Sequence, residues 1–200
     1  MAILASSTLR LLVGVTIALS FIAIFTPTES VSAVTASFTM PVELRNLDVT
    51  ISQLDKSPVL LRASVTNKND VPVTILSYGS PLDALAIQFG TLYITRKDES
   101  VPLEILQIEA SRLWPPADDA LVEIAPGSTA DWDFTLQEPV VPMDSVFERA
   151  TVQLKGTWSL VWLKEKKDVD FSTLEADTRA NETLTGPYKS NVLEIEIGEL

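Results

Sequence analysis

From Leu47 onward, apolar and polar residues alternate with period two over much of the chain. Leu47, Val49 and Ile51 alternate with Asp48, Thr50 and Ser52. Val59, Leu61, Ala63 and Val65 alternate with Arg62, Ser64 and Thr66. Successive side chains of a strand point to opposite faces, so this pattern predicts half-buried strands. Asn67-Lys68-Asn69-Asp70 is a turn cluster, followed by a strand at Val71, Val73 and Ile75 whose Pro72 suits an edge or a start. Further strands are predicted at Phe89–Arg96, Val101–Ile108 and Leu121–Ile124, the last closed by a Pro126-Gly127 turn. Ala130, Trp132, Phe134 and Leu136 share one face of the next, with Asp131, Asp133 and Thr135 opposite. Thr151–Leu163 carries the strongest pattern, placing Val152, Leu154, Trp158, Leu160 and Trp162 together. Val192–Ile197 completes the set, with Leu193, Ile195 and Ile197 inward. The fold class expected is all-β, an antiparallel immunoglobulin-like β-sandwich of about seven to nine strands.

Two stretches break the alternation. Leu11–Phe25 is an apolar run of 15 residues after Arg10, shorter than the ~20 that a spanning helix needs. Thr26-Pro27-Thr28-Glu29 ends it, and Val31-Ser32-Ala33 offers small residues for signal-peptide cleavage. Residues 1–33 are therefore expected to be a signal peptide cleaved after Ala33, with Ala36 as the second candidate and an uncleaved anchor as the alternative. Residues 34–46 read as a lead and 47–200 as a single sandwich domain. Its segment 164–190 is polar and reads as a long loop. The C-terminus carries no lipid-anchor or retention signal, so the mature protein is expected outside the cell and off the membrane.

Charge and composition narrow the chemistry. The net charge of −12 argues against nucleic acid and anionic membranes and suits a basic partner. No cysteine is present, so thiolate metal sites are excluded. No histidine is present either, which removes the commonest general base and metal ligand. No phosphate loop, dinucleotide fingerprint or nucleophile elbow occurs. No catalytic residue, metal ligand or cofactor is expected, and the chain reads as a non-enzyme.

A few residues remain as candidates. Asp131 and Asp133 flank Trp132, a spacing that suits acid–base work or calcium, although a solvated strand face explains it as well. Asp118-Asp119 is a similar loop pair. Trp132, Trp158 and Trp162 fall on apolar strand faces and are expected in the core, whereas Trp114 lies in a Pro-rich loop and is expected at the surface. Asn181-Glu182-Thr183 is the glycosylation sequon, at Asn181. Gly79-Ser80-Pro81-Leu82-Asp83 reads as a turn. Asp83 and Trp114 are the candidate partner contacts.

In order along the chain, Leu61–Asn67, Val73–Leu76, Gly79–Asp83, Asp118-Asp119, Leu121–Ser128 and Gly156-Thr157-Trp158 resemble the propeptide-type domain of fungal deuterolysin-like and peptidyl-Lys metalloendopeptidases. The resemblance covers roughly Leu47 to Trp162, and its motifs are common to many sandwiches. Those enzymes carry a His-Glu-x-x-His zinc motif, and this histidine-free chain has nothing onto which a protease residue can be placed. The resemblance implies a free-standing relative of the propeptide, with a secreted protease as the partner and its modulation or folding as the role. The alternative is a structural protein associated with cell wall or glycan, with Trp114 in the glycan contact.

Overall fold

A computed structural model describes residues 40–97, 99–146, 149–170 and 183–198. The expected signal peptide, both cleavage candidates Ala33 and Ala36, and the sequon residue Asn181 lie outside the described residues.

After a single helical turn, α1 (Val42–Arg45), the described residues form nine strands. These are β1 (Leu47–Lys56), β2 (Val59–Asn67), β3 (Val73–Leu76), β4 (Leu92–Arg96), β5 (Leu121–Ile124), β6 (Thr129–Leu136), β7 (Arg149–Trp162), β8 (Leu184–Lys189) and β9 (Leu193–Glu196). All pairings are antiparallel. One sheet has the order β1-β2-β6. The other is built on the long β7, which pairs with β4 and β9 near its start and with β3 and β8 near its end, while β5 adds to β3. The result is the immunoglobulin-like sandwich expected from the alternation.

The core lies between the sheets. Val49, Ile51, Leu61, Ala63, Val65 and Phe134 pack from one side, and Ile75, Ile94, Val152, Leu154, Trp158 and Ile195 from the other, all buried. Side-chain amides help close the sandwich along β1. Asn191 accepts the Ile51 N–H at 2.8 Å and donates to its carbonyl at 3.1 Å, and Gln53 makes the same exchange with Glu196 at 3.0 and 2.6 Å. These bonds occupy backbone groups of Ile51 in β1 and of Glu196 in β9 that would otherwise be left free.

Three expectations need correction. Residues 101–108 form no strand. Pro102 brings no N–H, and the segment touches β4 through one bond, Leu103 N–H to Ile94 carbonyl at 2.6 Å, before turning toward Gln88. Conversely, β8 lies inside the predicted loop 164–190. Its Pro187 is tolerated because β8 pairs only with β7, so its other edge needs no donor. Within β7, the register shifts between Trp158 and Val161. The extra residue turns Val161 inward, leaves Leu160 half-buried and puts Trp162 in a side cluster with Leu76, Ala120 and Leu121.

Candidate functional site

The turn after β3 is held by its own side chains. Gly79 adopts φ +73°, a conformation open to glycine at little cost. Its N–H donates to Asp83 Oδ2 at 2.7 Å, the Leu85 N–H donates to Asp83 Oδ1 at 2.9 Å, and the Leu82 N–H donates to Ser80 Oγ at 3.1 Å. Asp83 is 1% exposed. A carboxylate this deep needs a countercharge, and Arg112 supplies it: Nη2 lies 2.7 Å from both carboxylate oxygens. The guanidinium also stands 4.7 Å from the ring centroids of Tyr78 and of Phe89. One ion pair thus ties the turn at 78–83 to the segment carrying Arg112. Asp83, expected as a partner contact, is placed inside the molecule, and what it touches is its own chain.

Beside this pair a groove of about 370 Å³ opens at the seam between the sheets, where β5 and β6 face each other. Val122 and Trp132 contribute its walls from the strands, Tyr78, Leu82 and Arg112 from the loops, and Asp119 and Asp131 border it. Trp132 corrects the expectation of a core residue. It has the same parity as the buried Phe134 and Leu136, yet it is 41% exposed, because its place in that row faces the groove. Trp158 and Trp162 are buried as expected.

Asp131 and Asp133 do not converge on a shared site. Arg62 grips Asp133 through Nε at 2.7 Å and Nη2 at 2.8 Å, and this hydrogen bonding holds the Asp133 carboxyl below the usual carboxylate value. Asp131 is 4.0 Å from the same guanidinium and borders the groove. Asp118 pairs with Lys166 at 2.8 Å, leaving Asp119 as the groove-lining member of that loop pair. Among the described residues no group of three or more His, Asp or Glu side chains could hold a metal ion.

The segment after Arg112 leads from the groove to a second feature. Val101, Leu106, Ile108, Leu113 and Trp114 are all exposed, Leu106 at 77% and Leu113 at 75%. Ile105 is buried and pins the segment, and the Ile108 N–H donates to the Gln88 carbonyl at 3.0 Å. Trp114 is 46% exposed, as its Pro-rich setting suggests. Arg112, Tyr78 and Phe89 were not legible as a unit in the sequence, since Asp83 and Arg112 stand 29 residues apart and no local period links them.

Comparison with known proteins matches residues 46–197 to the model of the immunoglobulin-like domain family. A curated relative, an uncharacterized secreted protein of Arthroderma benhamiae, is 31% identical over 143 residues, covering 69% of this chain and 69% of the relative. Neither match names a metalloendopeptidase. Among the described residues no helix is long and apolar enough to cross a membrane. By fold and by sequence, this chain belongs to the immunoglobulin-like domain family.

Proposed function

We propose that this chain is a non-catalytic binding domain that works outside the cell and docks a partner protein through residues 101–114. The exposed apolar run carries the reading. A single exposed leucine is ordinary, but Val101, Leu106, Ile108, Leu113 and Trp114 lie together in one segment, and contiguous apolar surface marks interaction sites. Burial of Ile105 holds the backbone that presents them, which lowers the ordering cost of binding. The similarity to a secreted protein supports the location. The missing histidines, and the absence among the described residues of any group of three or more His, Asp or Glu that could hold a metal ion, support a non-catalytic role. The propeptide resemblance supplies the first partner to try, a secreted metalloendopeptidase.

Leu106→Asp with Leu113→Asp tests the reading, because both positions are exposed and the fold should survive. Immobilised wild-type protein is expected to retain a partner from culture medium, and the double variant to retain it about tenfold less, a loss of ~1.4 kcal/mol. Equal retention by both proteins would remove the apolar run as the docking surface. Added to metalloendopeptidases in equimolar amount or excess, the purified chain should change their activity. Unchanged activity would rule out the protease as that partner.

A further inference from the structure

We infer that the groove between β5 and β6 takes an arginine side chain of the partner, its guanidinium on the Trp132 indole and paired with Asp119. This deepens the reading of the chain as a partner-binding domain and rests on it.

The groove already contains one example of the chemistry. Arg112 is held by a carboxylate, Asp83, at 2.7 Å and by two aromatic rings at 4.7 Å. That pair is internally neutral and occupies Asp83 and Tyr78. The rest of the lining offers the same combination without a cation: an exposed indole and the Asp119 carboxylate. Among the described residues no lysine or arginine forms an ion pair with Asp119. Asp131 neighbours Trp132 on β6 and points to the opposite face, where the Arg62 guanidinium lies at 4.0 Å, so it adds negative charge beside the groove and no direct partner. Tryptophan is the best cation–π acceptor among the side chains.

Size and surroundings select among cations. A groove of about 370 Å³ is near the lower end of ligand sites, which begin at ~300 Å³, and has room for one long side chain with water. A planar guanidinium both stacks on an indole and donates in parallel to carboxylates, which an ammonium does not. The net charge of −12 raises the encounter rate with a basic partner. Arg112 in the groove is followed directly by Leu113 and Trp114 of the apolar run, so one partner surface could seat an arginine here and apolar side chains beside it. Arginine anchors ringed by apolar contacts are common centres of protein interfaces.

The test is an NMR titration of the secreted protein with acetyl-Gly-Arg-Gly-amide, its citrulline counterpart and chitotriose. The arginine peptide is expected to shift the Trp132 indole N–H and the Asp119 and Asp131 amides, saturating in the millimolar range. The citrulline peptide, equal in shape but uncharged, should bind at least about fivefold more weakly. Trp132→Ala should weaken the arginine peptide about fivefold or more, as should Asp119→Asn. If Trp132→Ala fails to fold, Asp119→Asn decides. Equal shifts from citrulline, arginine shifts elsewhere on the surface, no arginine shift at all, or saturation by chitotriose alone would each overturn the inference. Should the peptide fail while Leu106→Asp with Leu113→Asp still lowers partner retention, the arginine pocket falls and the docking reading stands.

Discussion

Replacing Asp83 by alanine should cost this fold more than any other single carboxylate described here. The side chain is 1% exposed and accepts four contacts under 3 Å: two from Arg112 Nη2 at 2.7 Å, one from the Gly79 N–H at 2.7 Å and one from the Leu85 N–H at 2.9 Å. Removing one partner of a buried pair costs ~3–5 kcal/mol because the other charge is left uncompensated. Arg112 keeps 27% of its side chain exposed and can turn toward water, which favours the lower end of that range. Two backbone donors lose their acceptor as well, each worth ~1 kcal/mol or more where water does not replace it. The expected loss is about 3 kcal/mol, a large share of the ~5–15 kcal/mol that stabilises a domain. Urea unfolding followed by tryptophan fluorescence measures it. With a slope of ~2 kcal/mol/M, the midpoint should fall by about 1.5 M. Asp83→Asn keeps an acceptor for one backbone N–H and should lose less than alanine. In a double-mutant cycle with Arg112→Met, the two changes should be strongly non-additive. A midpoint shift below about 0.3 M for Asp83→Ala, or full additivity with Arg112→Met, would show that the pair does not hold the turn.

Three further outcomes are expected. In Gly156→Ala a new Cβ would lie 2.6 Å from the Tyr188 hydroxyl oxygen and 2.7 Å from its ring, which is buried and donates to the Gly79 carbonyl at 2.9 Å. The ring has little room to move, so the variant should lose ~1–3 kcal/mol in urea unfolding, and an unchanged midpoint would contradict this packing. Asn67→Ala removes a buried amide that donates to the Val71 and Ile124 carbonyls, both at 2.9 Å, and accepts from the Asn69 N–H at 3.0 Å. A loss of about 3 kcal/mol is expected by the same assay, and one under 1 kcal/mol would show that water replaces these bonds. Burial pushes the Tyr188 phenol well above the ordinary tyrosine value. The unfolded phenol ionises near pH ~10, so the stability from this group is complete below that pH and is lost as pH rises beyond it. Absorbance at the tyrosinate band should therefore show one of the three tyrosines titrating late, together with unfolding. Three equal titrations near pH 10 in the folded protein would contradict it.

The sandwich was readable in the sequence because strand burial is a local property. Leu47 to Ile51, Val59 to Val65, Phe134 to Leu136 and Val152 to Trp158 show the two-residue period in their own order, and each of these rows packs inward. The missing histidines and cysteines needed no structure either, since they remove whole classes of chemistry wherever the chain folds. Pairing was not local. Leu184–Lys189 contains Gly186 and Pro187 and reads as loop, yet it becomes a strand because β7 offers it a ladder and leaves its other edge open. Residues 101–108 alternate like a strand, but the neighbouring edge of β4 takes only one hydrogen bond from them. Trp132 has inward parity, and only the arrangement of loops around β5 and β6 turned it into the wall of a groove. Asp83 and Arg112 could be joined only by folding, because nothing in the chain between these positions, 29 apart, encodes their distance. Local periodicity determined which faces are apolar. Tertiary packing decided which of those faces is left uncovered, because coverage depends on segments far away in the chain.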